Sequence, residues 1–194
     1  MKKKILISGT SSGLGKYLAK KFNATKLNRK KISKKIKNTN WDLIIHCAFN
    51  SKTYDLDNFQ QYFRDNILLS YSISKLKGKK IFLSTTQIYE NNNINKRKEV
   101  DVIDEKELSL YPLSKLICEK FFSGNDLILR LGSIVGKSMR QNTIVKLISV
   151  KKPKINLDSK SKFSFISYEE IYKFILVLVK LKKKGIYNFL RTDF

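Results

Sequence analysis

The chain has 194 residues, 42% apolar and 29% charged, with a formal net charge of +24 at pH 7; this length fits one domain with a real core. No apolar run approaches the roughly 20 residues of a membrane-spanning helix, so no membrane partner is expected, and one histidine with two cysteines, Cys47 and Cys118, provides neither a disulfide framework nor a zinc site, so no metal is expected and a reducing cytoplasm fits best. The basic excess is 34 Lys against 6 Arg, beside 15 Asn and 22 Ile, a bias of A+T-rich coding that argues against nucleic acid as the partner, because phosphate recognition favours the bidentate Arg.

In chain order, "KKILISG" is a short apolar run ending at Gly9, too short to serve as an export signal despite its basic start. "LGKYLAKKF" (14–22) follows with helical spacing at Leu14, Tyr17, Leu18 and Phe22. A brief strand "ATKLN" (24–28), a basic helical stretch "KKISKKIK" (30–37) and a buried strand "WDLIIHCA" (41–48) come next. A helix is expected over 56–77, a buried strand at "KKIFLST" (79–85), and a polar loop from Asn91 to Glu107. Pro112 suits the first turn of a helix ending near Phe122. "DLILRLG" (126–132) reads as a strand, and a helix near 141–150, a basic loop around Pro153, a helix at 168–182 and the strand "GIYNFL" complete the chain. "FILVLV" (174–179) and the Tyr168/Tyr172/Leu176 stripe read as core. Strands alternating with helices predict an α/β fold: a doubly wound, Rossmann-type parallel sheet in a single domain over 1–194.

Two patterns carry chemistry. In "SGTSSGLG", between the first strand and helix, Gly9 permits the tight turn, Gly13 lets backbone approach a pyrophosphate and Gly15 allows close helix packing, while the helix N-terminus attracts phosphate charge. The other is Tyr-x-x-x-Lys, which places both side chains on one helix face. It occurs three times, at Tyr17/Lys21, Tyr71/Lys75 and Tyr111/Lys115, so spacing alone does not identify an active pair.

The Gly-x-x-x-Gly-x-Gly spacing resembles the short-chain dehydrogenase/reductase superfamily, and four further blocks extend the resemblance. "WDLIIHCA" is similar to its fourth strand, and "FLSTTQIYE" (82–90) to the Ser-Thr-x-x-Val-Tyr-Gly stretch of its extended, sugar-nucleotide-acting branch. "YPLSKLICEK" (111–120) is similar to Tyr-x-x-Ser-Lys-x-x-x-Glu, and "LRLGSIVG" (129–136) to Leu-Arg-x-x-x-Val-x-Gly. "FSFISYEEI" (163–171) resembles the branch's late aromatic and acidic helix start.

This order implies that Tyr111, which follows the Ser84-Thr85 strand end, is the active tyrosine, and that the Tyr17 and Tyr71 pairs are packing residues with solvated lysines. The resemblance assigns catalysis to Thr85, Tyr111 and Lys115. It assigns cofactor binding to Gly9, Ser11, Ser12, Gly13, Leu14, Gly15, Asn28, Arg29, Cys47, Ala48, Phe49, Lys115, Leu131 and Ser133, and substrate contact to Thr86 and Gln87. Asn66 matches a helix asparagine common in the superfamily, with capping or core hydrogen bonding as the other reading. His46 reads as packing.

Two departures bear on the substrate. Dehydratases of this branch carry Asp-Glu where this chain has Thr86-Gln87, so water elimination is not expected. Only 79 residues follow Lys115, which leaves a reduced substrate lobe from about residue 132. The expected reaction is NAD(P)-dependent reduction of a nucleotide-linked keto-sugar, as in compact 4-keto-sugar reductases, with NAD-dependent epimerisation or a non-catalytic dinucleotide- or nucleic-acid-binding module as alternatives. "LNRKK" after the second strand has no acid and supplies Arg29 and Lys30, which favours NADP(H) over NAD(H). A homodimer is left open, as is common among the relatives.

Overall fold

Runs such as "ILIS" and "LIIH" are apolar without alternation, which suits strands covered on both faces, and the chain builds its centre from them. The computed structural model describes residues 3–27, 32–50, 58–89, 98–122, 124–139, 143–152 and 165–190. Its strands are β1 (Ile5–Ser8), β2 (Thr25–Leu27), β3 (Leu43–His46), β4 (Lys80–Thr85), β5 (Leu127–Leu131), β6 (Ser133–Val135), β7 (Phe165–Ser167) and β8 (Gly185–Phe189). Six form a parallel sheet in the order β2-β1-β3-β4-β5-β8, while β6 and β7 pair separately, also in parallel. The order reverses at β1, so the C-terminal ends of β1 and β3 flank the crevice where such sheets hold ligands.

The helices are α1 (Gly13–Lys21), α2 (Lys34–Asn38), α3 (Phe59–Phe63), α4 (Leu69–Ser74), α5 (Leu110–Glu119), α6 (Thr143–Ser149) and α7 (Tyr168–Lys180). One face of the sheet packs Ile7, Ile45, Leu83 and Leu129 against Leu18 of α1 and Ile171 and Ile175 of α7. The other packs Leu6, Ile44, Phe82 and Ile128 against Tyr62, Ile73 and Cys118 from α3, α4 and α5. Each fully buried aliphatic side chain contributes about 2–3 kcal/mol. Among the described residues no helix is long and apolar enough to cross a membrane.

Several elements differ from expectation. The helix expected over 56–77 is interrupted by a π-turn at Arg64–Leu68 between α3 and α4. Pro112 falls in the first turn of α5 as expected, as its third residue behind the N-cap Ser109, where N–H groups lack intrahelical partners anyway. The three-residue strands β6 and β7 were not expected, being too short for a period-2 signal. A 3₁₀ turn, Thr86–Tyr89, follows β4. The β2 edge is trimmed as expected, with no further strand beyond β2 among the described residues. The loop around Pro153 lies outside those residues.

The core readings in the last helix are corrected. Steps of four residues advance about 40° beyond a full turn of a 3.6-residue helix, so the Tyr168/Tyr172/Leu176 stripe drifts outward and Leu176 is 41% exposed. The buried face is Tyr168, Ile171, Ile175 and Leu178. Of "FILVLV", Leu176 and Val177 face solvent. A capping box starts α7: Ser167 Oγ accepts the Glu170 N–H at 3.2 Å, and Glu170 Oε2 accepts the Ser167 N–H at 2.7 Å.

Candidate active site

Three segments reach the C-terminal edge of the sheet beside the crevice: the glycine loop after β1, the residues after β3, and the end of β4 with the first turns of α5. Gly9 has φ +73°, and a Cβ there would lie 2.6 Å from Ala48 N, so the loop lies directly against the chain leaving β3. A Cβ on Gly15 would lie 2.2 Å from Gly9 O, which explains why α1 can start so close to β1. Ser11 and Ser12 are exposed. Ser12 is the N-cap of α1, yet its side chain makes no capping bond, and the first turn carries no acid. The free N–H groups and the positive end of α1 thus suit an anion. Leu14 is half-buried and packs on the core. Tyr168 covers the outer side of the loop: its hydroxyl would lie 3.2 Å from a Cβ on Gly13, and its ring 2.4 Å from one on Gly136.

Beyond β3, a hydrogen-bonded chain fixes the crevice wall. Ser70 Oγ donates to the Asn66 carbonyl at 2.6 Å, so it accepts from His46 Nε2–H at 2.9 Å. His46 Nδ1 then accepts from the Ser8 hydroxyl at 2.7 Å, and Ser8 Oγ accepts the Ala48 N–H at 3.3 Å. This order makes His46 the neutral Nε2–H tautomer. Burial, reinforced by the Lys115 charge, lowers its pKa to about 3. His46 is therefore a structural linker, in line with its reading as packing. Asn66 clamps the next loop, its Oδ1 accepting Asn50 N–H at 2.6 Å and its Nδ2 donating to Asn50 O at 2.9 Å.

The loop held in this way carries Phe49, which is 4% exposed. Its ring meets the Tyr111 ring edge-to-face at 5.4 Å, and the Lys115 ammonium lies 4.1 Å from its centre. Lys115 is 5% exposed. Its Nζ donates to the Leu83 carbonyl at 2.6 Å and lies 4.9 Å from the Phe82 ring centre. A buried cation is costly unless it is hydrogen-bonded or faced by π density, and both partners are present. Thr85, 8% exposed, ends β4 two residues beyond Leu83. Its Oγ1 accepts the Gln87 N–H at 3.2 Å, which leaves its proton for donation.

The three predicted catalytic residues thus lie around the C-terminal end of β4, Tyr111 half-buried on the first turn of α5 and Lys115 one turn on. The other two Tyr/Lys pairs lie elsewhere. Tyr17 donates to Glu169, which also pairs with Lys21 at 2.9 Å, tying α1 to α7. Tyr71 is 48% exposed, with Lys75 4.9 Å above its ring.

Several predicted contacts change character. The rings of Phe49 and the side chains of Ala48 and Leu131 are buried, so only their backbone can face a cofactor. Cys47 is half-buried, and desolvation pushes its thiol up to about 12 despite the opposing Lys115 charge, which makes it a poor nucleophile. Ser133 is exposed at the start of β6. Thr86 is 5% exposed, with its hydroxyl directed at the Leu131 carbonyl at 3.4 Å, whereas Gln87 is exposed. Asn28 and Arg29 lie outside the described residues.

The sequence matches no family model and no curated protein. The fold, however, matches solved structures over nearly the whole chain. A dTDP-4-dehydrorhamnose reductase from Bacillus anthracis str. Ames, in complex with NADP, is 17% identical with a TM-score of 0.80, over 100% of this chain and 76% of that one. The Bordetella bronchiseptica enzyme WbmH in complex with NAD+ is 16% identical with a TM-score of 0.80, over 98% and 76%. UDP-N-acetylglucosamine 4-epimerase from Bacillus cereus is 17% identical with a TM-score of 0.71, again over 98% and 76%. The chain thus has the Rossmann-type fold of these structures, with its glycine loop and Tyr111/Lys115 helix at the C-terminal edge of the sheet.

Proposed function

We propose that this protein is a nicotinamide-dinucleotide-dependent oxidoreductase that reduces a ketone on a nucleotide-linked sugar. The observation that carries this reading is Lys115 held at the Leu83 carbonyl and the Phe49 ring, with Tyr111 against that same ring and Thr85 at the end of β4, beside a glycine loop suited to a diphosphate. The likeness to structures holding NADP or NAD+ supports it.

In this reading the bound dinucleotide supplies the hydride. Tyr111 gives the proton to the carbonyl oxygen, and Thr85 donates a hydrogen bond to the same oxygen. Tyrosine ordinarily titrates near 10. A nearby ammonium favours the phenolate over the neutral phenol. Lys115 is the group placed to do this, one helical turn from Tyr111. Gly9, Gly13, Gly15, Ser11 and Ser12 would bind the diphosphate. The residues from about 132 onward would supply the substrate side, within a single domain over 1–194. Thr86 and Gln87 carry no carboxyl group, so dehydration is not proposed.

The test is a thermal-shift titration with NADPH, NADH and a panel of nucleotide sugars, since a ligand bound to the folded state raises the melting temperature. A larger shift with NADPH than NADH is expected from the LNRKK segment. No shift with either dinucleotide would refute the reading. Epimerisation by the same residues is the second reading, favoured by the likeness to a 4-epimerase; it recycles the cofactor where reduction consumes it.

We further propose a homodimer through α3, α4 and α5. These helices and the π-turn between α3 and α4 expose Phe59, Phe63, Leu68, Tyr71 and Ile117, while α3, the π-turn and α4 together contain one basic residue, Arg64, and one acidic residue, Asp65. On a chain of +24, such a face permits close approach with little repulsion. Sedimentation velocity of the wild type and Leu68→Glu checks it: a monomeric wild type would exclude the dimer.

A further inference from the structure

The outward face of α7 has a composition that the proposed chemistry does not use. Lys173, Leu176, Val177, Lys180 and Leu181 follow i, i+3, i+4, i+7 and i+8 spacing, which aligns them on one side of the helix. The aliphatic members are exposed by 41%, 50% and 58%, in chain order. Lys182, Lys183 and Lys184 continue the charge past the helix end and are exposed. Lys79 Nζ ties this end down by donating to the Lys183 carbonyl at 2.7 Å. Acidic groups nearby are already engaged. Glu169, at the upper end of the face, pairs with Lys21 at 2.9 Å. Asp126, in the hollow shared with Lys182 and Lys184, accepts the Lys80 N–H at 2.9 Å and lies 3.8 Å from Lys80 Nζ.

We propose that this face is a docking surface for an anionic lipid bilayer. Exposed aliphatics between lysines can enter the acyl boundary while the ammonium groups extend to the headgroups. Each Lys beside an anionic leaflet adds attraction. A second copy of this face would be repelled by its own lysines. A protein partner is disfavoured because the ridge is convex, lacks the Trp, Tyr and Arg that anchor such interfaces, and is rich in Lys, which they deplete. A nucleic-acid backbone would use the lysines but leave Leu176, Val177 and Leu181 without a role. The sheet edge carrying Thr85 and Tyr111 lies at the other end from Lys182–Lys184, because α7 runs antiparallel to the strands it packs on; docking therefore leaves the crevice open.

The experiment is cosedimentation of the full chain with vesicles of phosphatidylglycerol and phosphatidylcholine at 3:7, and of phosphatidylcholine alone, at physiological salt. Variants are Val177→Gln/Leu181→Gln and Lys180→Gln/Lys184→Gln, with melting temperatures confirming that each is folded. Binding to the anionic vesicles only, weakened at least tenfold by either pair of substitutions, is the expected result. Absence of wild-type binding would overturn the proposal. So would binding unaffected by Val177→Gln/Leu181→Gln, or equally tight binding to duplex RNA that this variant retains, since both would reduce the face to a charge effect.

Discussion

Glu119 of α5 and Arg130 of β5 form a buried ion pair, Nη2 to Oε2 at 2.8 Å, with Nε 3.1 Å from the second carboxylate oxygen. Both residues are under 5% exposed. The Arg130 Nη1 donates to Tyr89 Oη at 2.5 Å and to the Glu99 carbonyl at 3.3 Å, so one guanidinium joins α5, β5, the 3₁₀ turn after β4 and the loop before α5. Glu119 raises the Arg130 pKa against the opposing effect of burial. The pair orients the helix that carries Tyr111 and Lys115.

Removing one partner leaves the other charge buried. Glu119→Gln is expected to destabilise by about 3–5 kcal/mol, measured by urea unfolding. Glu119→Leu/Arg130→Met removes both charges and should cost less than the sum of the single substitutions. Additive losses would show that the two residues act independently.

For catalysis, Tyr111→Phe should lower turnover by about 10²–10⁴-fold while leaving the dinucleotide-induced thermal shift intact. Lys115→Met should lower turnover and also diminish that shift. Unchanged turnover in Tyr111→Phe, measured with a substrate identified by titration, would exclude the tyrosine mechanism.

Much of this arrangement was legible in the sequence because its signals are local. Gly9, Gly13 and Gly15 announce a turn and a close approach, and "LIIH" and "LILRL" announce buried strands. Ranking Tyr111 above Tyr17 and Tyr71 rests on the order of blocks; what sets its pair apart in space is the burial of Lys115 against Phe49 and the Leu83 carbonyl. What stayed hidden depends on distant pairs. Ser8, His46 and Ser70 become one hydrogen-bonded chain only after β1, β3 and α4 are assembled. Glu119 and Arg130 were both visible, and the rule that buried charges pair could have joined them had their burial been known. The outward drift of Leu176 shows the opposite case: a four-residue repeat mimics a core stripe yet rotates off the buried face of Tyr168, Ile171, Ile175 and Leu178.

The His46 chain predicts a pH effect. The folded pKa, about 3, lies below the unfolded value near 6.5. Between these values the unfolded state binds a proton that the folded state does not, so stability falls as pH drops. The slope from this group is about 1.4 kcal/mol per pH unit between the two values and zero outside them, so the loss is absent above the unfolded pKa and complete below the folded one. His46→Gln removes it. Urea unfolding of both proteins at pH 7 and pH 5 should show the variant losing about 2 kcal/mol less than the wild type. Equal losses would mean that the imidazole is protonated in the fold.

Two glycines separate backbone strain from steric exclusion. Gly185 has φ +95°, and a Cβ there meets nothing within 4 Å. Gly185→Ala should therefore cost only the conformational penalty, about 1–2 kcal/mol, and leave dinucleotide binding unchanged. No positive φ applies at Gly15, yet its Cβ would lie 2.2 Å from Gly9 O and 2.8 Å from Gly9 C. Both are backbone atoms that no rotamer change can move, so Gly15→Ala must displace α1 from β1. The displacement moves the helix N-terminus relative to the turn at Gly9, the two parts proposed to hold the diphosphate together. Isothermal titration with NADPH should show binding weakened at least tenfold in Gly15→Ala and preserved in Gly185→Ala. Preserved affinity in Gly15→Ala would separate the glycine loop from cofactor binding, whereas an equal loss in both variants would point to general destabilisation.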